Sequence, residues 1–227
     1  MIEYYKELEQ NTPEWFKARL GVVTASQVKT LFTPKLKLSK DQKIKAYAFE
    51  LATQRETQHI EDNFQSWDMK RGHIEEEYAR NLYENEVQEC GFITNDFLGF
   101  TIGFSPDGLV GDDGLIEIKS IKNKHQVKTF YNDVVPDEYM LQMQTGLLVS
   151  ERKWCDFISY SNGMPLFVKR VFPDIELQEL IKIAISDFEL TVKEIHEKYK
   201  SSSKGLMKAD RIDHSENEKH DNIAQDF

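Results

Sequence analysis

The sequence predicts one α/β domain, in which paired strands and amphipathic helices share a core. Two stretches read as hairpins: residues 104–119, around a Gly/Asp turn, and residues 153–160 with 166–172, around Ser161-Asn162-Gly163. Helices with apolar stripes surround them, ending in a long one over residues 174–200. The 227 residues suffice for one sizeable domain with appendages but not for two. Residues 1–200 are expected to form that domain, and 201–227 a polar, disordered tail.

Taken in order, Thr12-Pro13-Glu14 starts a helix: Thr12 caps it, Pro13 takes the first helical position and Glu14 complements the dipole. Trp15, Phe16 and Leu20 ride on it, Arg19 lies one turn beyond Trp15, and Gly21 ends it. A second helix begins at Thr24-Ala25-Ser26-Gln27 and runs to about Phe32. Its hydroxyls and free N–H groups form an anion site with Arg19 nearby, or they merely cap the helix beside a surface arginine. Residues 33–45 carry Lys35, Lys37, Lys40, Lys43 and Lys45, either a phosphate-touching loop or a solvated charge run. Residues 41–65 read as a helix, in which His59 has no partner at ligand spacing.

The run from Arg71 to Arg80 opens a helix reaching about Asn85, with Ile74, Tyr78, Ala79, Leu82 and Tyr83 as its apolar stripe. Glu75 falls near the middle of the stripe, Glu76 at its edge and Glu77 opposite. Either a carboxylate at that edge faces the sheet and completes a metal site, or the glutamates form an ordinary acidic face. Residues 87–93 and 97–105 are expected strands. Residues 120–126 are polar and basic, with Lys122, Lys124 and His125 placed for phosphate contact. Residues 137–149 form a helix carrying Tyr139, Gln142, Met143 and Gly146. Trp154, Phe157, Val168 and Val171 are core positions of the strand pair. The last helix has Leu177, Leu180, Ile181, Ala184, Ile185, Phe188, Val192 and Ile195 as its stripe, and Ser201 to Gly205 break it.

The chemistry concentrates between Phe104 and Lys119. Side chains at i and i+2 share a strand face, so Glu117 and Lys119 point one way and Ile116 and Ile118 the other. Carboxylates and an ammonium on a half-buried sheet are costly unless paired or bound to a cation, and a hard divalent ion suits carboxylate oxygens. The pattern reads as a metal-dependent nuclease. A two-residue Asp112-Asp113 loop would set Asp107 opposite Ile118, facing away from Glu117. A three-residue loop Asp112-Asp113-Gly114, with Gly114 left-handed, sets Asp107 opposite Lys119 and diagonal to Glu117. A bend at Pro106 and Gly108 would do the same. An odd loop or a bulge is therefore expected.

The net charge of −10 weighs against a protein that coats DNA non-specifically. Much of the acid lies in residues 50–62, 75–89 and the tail, which favours an enclosed, locally basic channel over an open basic face. Cys90 and Cys155 provide neither a metal-ligand pair nor a disulfide framework, so a reducing cytoplasm is the expected setting. No apolar run approaches the roughly 18 residues of a membrane span, and no signal-peptide pattern opens the chain.

Asp107, nine intervening residues and then Glu117-Ile118-Lys119 resemble the PD-(D/E)xK nuclease signature. Trp15…Arg19-Leu-Gly-Val-Val-Thr-Ala-Ser26, Gly72…Glu76…Ala79-Arg80, Ser105-Pro-Asp-Gly108 and Tyr139…Gln142-Met-Gln144 accompany it. In that order, over residues 12–195, these motifs resemble the lambda-exonuclease-like family, also called the viral recombinase or alkaline exonuclease family. The resemblance implies a restriction-endonuclease-like core with a central mixed β-sheet flanked by helices. It implies a processive 5′-to-3′ exonuclease on linear duplex DNA, releasing mononucleotides and leaving 3′ overhangs for single-strand-annealing recombination. It further implies a toroidal homotrimer threaded by DNA, a single-strand annealing protein as partner, and a phage or prophage setting in a bacterial cytoplasm.

Two Mg²⁺ ions per site are implied, with Mn²⁺ able to substitute. Asp107, Glu117 and the Ile118 carbonyl match the ligands, and Glu76 belongs to the second metal's surroundings. Lys119 orients or activates the attacking water, helped by a depressed pKa, and Gln142 supports the geometry. Arg19, Ser26 and Ser105 match positions that bind a terminal 5′ phosphate. A further phosphate-binding arginine of the family falls on His125, a weaker cation at neutral pH, which Lys124 could assist or replace. An endonuclease on the same core and a non-catalytic DNA-end-binding subunit are the alternatives. The lack of a cysteine cluster sets the chain apart from iron–sulfur nucleases.

Overall fold

Two four-stranded sheets carry the fold in the computed structural model, which describes residues 1–60 and 67–211. In the first, β1 (Ile2–Tyr5) pairs antiparallel with β3 (Phe92–Asn95), β3 antiparallel with β4 (Ile102–Phe104), and β4 parallel with β2 (Val23–Thr24). In the second, β5 (Gly108–Val110) pairs antiparallel with β6 (Gly114–Ser120), β6 parallel with β7 (Trp154–Tyr160), and β7 antiparallel with β8 (Phe167–Val171). A bridge between Gln88 and Leu109 ties the segment before β3 to β5. The mixed sheet flanked by helices is thus present, divided in two.

A parallel pair requires a long crossover. Here α4 (Asn123–Asn132) and α5 (Asp137–Ser150) connect β6 to β7. Leu141, Met143, Leu147 and Val149 of α5 are buried against the sheets, and at Gly146 a Cβ would stand 2.7 Å from the Phe104 ring. Tyr47, Ala48 and Leu51 of α2 (Gln42–Thr57) join the same core, with Ile181, Ile185 and Phe188 of α6 (Ile175–Ser202). This core belongs to a compact unit spanning Met1–His196; Glu197–Phe227 form a second unit.

Several expectations change. The second helix is a 3-10 helix over Ala25–Leu31. α2 stops where Gln58 takes a left-handed conformation (φ 52°), short of the expected 65, and residues 61–66 lie outside the described ones, as does the tail from 212. β1 and β2 are too short to show a periodicity and went unread. α4 escaped detection because its buried residues are polar: Gln126 donates to the carbonyls of Ser159 (3.0 Å) and Pro165 (2.8 Å), and accepts from Ser159 Oγ (2.6 Å). Only Ala79 of the expected stripe of α3 (Trp67–Leu82) is fully buried, while Ile74, Tyr78 and Leu82 are exposed. The apolar patch beneath that helix is small, and carboxylates take the sheet-facing positions beside it. Val168 and Leu180 are also exposed rather than core.

Candidate active site

The β5–β6 register pairs Gly108 with Ile116, Leu109 with Leu115 and Val110 with Gly114. The loop therefore has three residues, Gly111-Asp112-Asp113, odd as the chemistry required. Its left-handed residue is Gly111 (φ 52°), not Gly114. Gly114 opens the strand, and it must be glycine because a Cβ there would fall 2.2 Å from the Trp154 ring. Arg152 pins the loop by donating to the carbonyls of Gly111 (2.9 Å) and Gly114 (2.7 Å). Continued one step, the register sets Asp107 opposite Glu117 and diagonal to Lys119, the reverse of the expected pairing. The three groups still share a face.

Asp107 Oδ2 accepts from the Ile118 amide at 2.6 Å. Glu117 is fully buried; Lys119 Nζ lies 2.5 Å from its Oε1 as an ion pair, yet neither carboxylate oxygen receives a hydrogen bond of good geometry. Burial raises the Glu117 carboxyl above its ordinary range, Lys119 opposes the rise and Asp107 adds to it. Burial alone would lower Lys119, but Glu117, Asp107 and Glu76 outweigh it and raise the ammonium instead. The depressed lysine expected from sequence is thus absent from this arrangement, because carboxylates surround the ammonium.

Neighbouring side chains of α3 divide two tasks. Glu75 accepts a hydrogen bond from Ser120 Oγ at the end of β6. Glu76 joins the acidic centre: burial pushes it up to about 8, Asp107 and Glu117 add to the rise, and Lys119 eases it. Tyr83 anchors the segment just after α3 by donating to Asp156 Oδ2 at 2.6 Å. On α5, burial and Glu138 raise the Tyr139 hydroxyl to about 12, with Lys119 and Glu117 within electrostatic reach. Gln142 lies half-buried one turn further along. Sequence reasoning used Tyr139 only as a motif marker. Its position one turn before Gln142 was the available signal.

Among the described residues, no three His, Cys, Asp or Glu side chains meet at metal-ligand distance. Lys119 and the Ile118 amide engage the carboxylates in the way a cation would. The donor chemistry nevertheless fits a hard divalent ion, since Asp107 and Glu117 lie within electrostatic reach of Glu76 and both Glu117 oxygens are buried without hydrogen bonds of good geometry.

Two residues upstream of Asp107 the chemistry reverses. Thr12 Oγ1 accepts from Trp15 N at 3.3 Å and starts α1 (Pro13–Ala18), so Trp15 and Arg19 lie on one side. Arg19 Nη1 donates to Ser105 Oγ at 2.8 Å, and its guanidinium lies 4.1 Å above the Trp15 ring. Trp15 Nε1 reaches the Gly91 carbonyl (2.9 Å) and Ser105 Oγ (3.0 Å). Burial lowers Arg19 to about 10, and among the described residues no carboxylate pairs with it. Ser26 Oγ stands 3.5 Å from Thr24 Oγ1, and Thr24 pairs with Gly103, two residues before Ser105.

His125 and Lys124 sit exposed on α4. No hydrogen bond or ion pair joins either to Arg19, Ser26 or Ser105. His125 instead lines a cleft of about 1030 Å³ with Lys29, Ser120, Lys122, Lys128 and Tyr139. Lys124 is not among the lining residues.

Buried carboxylates and a lysine on a hairpin of a mixed sheet, with a further carboxylate from a packed helix, define the PD-(D/E)xK class of nuclease. The YqaJ-like viral recombinase domain matches residues 14–153, and the chain belongs to that family. It is similar to the alkaline exonuclease LHK-Exo from Laribacter hongkongensis at 36% identity, over 86% of this chain and 100% of that one, with a TM-score of 0.76. LHK-Exo in complex with dAMP matches at 35% identity over the same shares, with a TM-score of 0.77. A phage related exonuclease from Haemophilus somnus 129PT shares the fold at 15% identity, over 78% of this chain and 96% of that one, with a TM-score of 0.54. The comparison with curated proteins finds no match. The chain is a nuclease of the alkaline exonuclease and viral recombinase type. Among the described residues, no helix is long and apolar enough to cross a membrane.

Proposed function

We propose that the protein digests the 5′-ended strand of linear duplex DNA from a phosphorylated end, processively, releasing mononucleotides and leaving a 3′ overhang. The observation that carries this reading is Arg19, a half-buried cation bonded to Ser105 and, among the described residues, lacking a carboxylate partner, beside an acidic centre. Only Pro106 separates Ser105 from Asp107, so their Cα atoms lie at most roughly 7 Å apart. An end phosphate held by Arg19, Ser26 and Ser105 would then stand about one nucleotide from the bond to be cut. The LHK-Exo complex with dAMP supports a mononucleotide product.

Asp107, Glu117, the Ile118 carbonyl and Glu76 would hold Mg²⁺, with Mn²⁺ able to substitute. Bound there, such ions would supply charge stabilisation for an in-line displacement at phosphorus. Lys119 Nζ shares their strand face and orients the attacking water. Tyr139 and Gln142 of α5 support that geometry, and His125 and Lys124 contact the DNA backbone from α4. A homotrimer enclosing the duplex reconciles the net charge of −10 with a DNA substrate. A single-strand annealing protein in the bacterial cytoplasm would receive the overhang.

Digestion of linear duplex, 5′-phosphorylated or not, with Mg²⁺ or EDTA, tests this reading. Nucleotide release from the phosphorylated end in Mg²⁺ alone is expected, with covalently closed plasmid left intact. Cutting of the plasmid would make the protein an endonuclease. End binding without release in Mg²⁺ or Mn²⁺ would make it a non-catalytic recombination subunit.

A further inference from the structure

The pocket around Arg19 hangs from a single glycine. Gly21 follows Arg19 by two residues and precedes Thr24 by three, so both halves of the pocket depend on its placement. It is left-handed (φ 67°), and a Cβ there would come 2.6 Å from Arg55 Cγ. Its amide donates to Gln54 Oε1 at 2.9 Å, and its carbonyl accepts from Arg55 Nε at 2.9 Å. Two consecutive residues of α2 therefore take both polar groups of one backbone residue. The remaining fork of Arg55 closes on Glu189 of α6 with two bonds of 2.8 Å, and Glu189 is only 3% exposed.

We infer that Gln54, Arg55 and Glu189 are positioning residues that set the anion pocket by gripping Gly21. The inference rests on the 5′-phosphate reading of that pocket. Among the described residues the Arg19 side chain makes one hydrogen bond, so its guanidinium is placed largely by its backbone and by the Trp15 face. A displacement of about 1 Å at such a group costs substantial recognition. A buried ion pair is a poor stabiliser compared with apolar packing, whereas a bidentate arginine fixes direction. Arg55 directs its Nε–H, which lies outside the pair, to the Gly21 carbonyl in the turn that carries Arg19.

Two variants separate positioning from stability. Arg55→Lys keeps a cation opposite Glu189 but loses the planar fork. Gln54→Met keeps the volume, removes the acceptor for the Gly21 amide and leaves the Arg55–Glu189 pair intact, so the test survives if Arg55→Lys does not fold. Phosphorylated and unphosphorylated linear duplexes are digested in competition, and the ratio of their kcat/KM is read. The ratio falls by about five- to tenfold in each variant. In EDTA, the binding preference of the metal-free protein for the phosphorylated end falls by a similar factor. A merely structural role lowers Tm without moving either ratio. Unchanged ratios in the folded variants, with Arg19→Ala abolishing the preference, overturn the clamp alone. An unchanged preference in Arg19→Ala as well overturns the pocket, and the clamp with it.

Discussion

The acidic centre and the arginine pocket are neighbours in sequence across Pro106, and they manage buried charge in opposite ways. At the centre, Asp107, Glu117 and Glu76 crowd together, and Lys119 with the Ile118 amide partly neutralises them. In the pocket a single guanidinium is carried by an aromatic face and one hydroxyl, with no acid among the described residues to balance it. Buried like charges are costly, and so is an uncompensated cation. One region is arranged for a cation and the other for an anion. In the proposed reading, a phosphorylated DNA end would supply the anion and a divalent ion the cation.

The largest effect that would break this contrast comes from Lys119→Ala. It removes the charge that balances the centre and, in the proposed reading, the group that orients water. Cleavage should fall by on the order of 10²–10⁴-fold, to background in a standard digest, while fold and DNA binding largely persist. Robust Mg²⁺-dependent digestion by that variant would refute the assignment of the centre. Next comes Arg19→Ala, which should erase the preference for 5′-phosphorylated over 5′-hydroxyl ends, about tenfold or more for a lost charge-assisted contact. End-labelled competition digests measure it, and an unaltered preference would leave the pocket without a role.

The smallest effect is on stability. Glu76 is raised to about 8 in the fold against an ordinary 4.5, so the native metal-free protein retains a proton that the unfolded chain has lost between those values. Its stability must fall as pH rises through that window. Glu117 acts with the same sign, whereas Lys119, raised above an already high value, stays protonated across the window in both states. Thermal melts in EDTA should show Tm declining by several degrees from pH 5 to 9, and Glu76→Gln should flatten the slope. A slope that Glu76→Gln leaves untouched would place the proton elsewhere.

Much of the site was legible because its spacing is local. The hairpin parity put Asp107, Glu117 and Lys119 on one face, since strand side chains alternate with every residue. Periodicity left Glu75 and Glu76 both open, and only the resemblance selected Glu76. The choice depends on Ser120 engaging Glu75, a contact across 45 residues of chain. Gly114 looked like the turn's left-handed residue, but it lies in the strand, and it is glycine because the Trp154 ring, brought in by the parallel β6–β7 pairing, leaves no room for a Cβ. α4 was invisible because Gln126 and Ser159 satisfy each other with polar groups that carry no apolar period.

The sequence alone determined the parity of the Asp107–Lys119 hairpin, the Thr12-Pro13 helix start and the Asn162-Gly163 turn, because covalent geometry and short-range periodicity set these; Arg19, Ser26 and Ser105 were brought together only by the family resemblance. Tertiary structure decided which carboxylate joins the centre, that Lys119 is raised rather than depressed, and that Gln54, Arg55 and Glu189 hold Gly21. Those outcomes depend on burial and on charges summed over neighbours far apart in the chain.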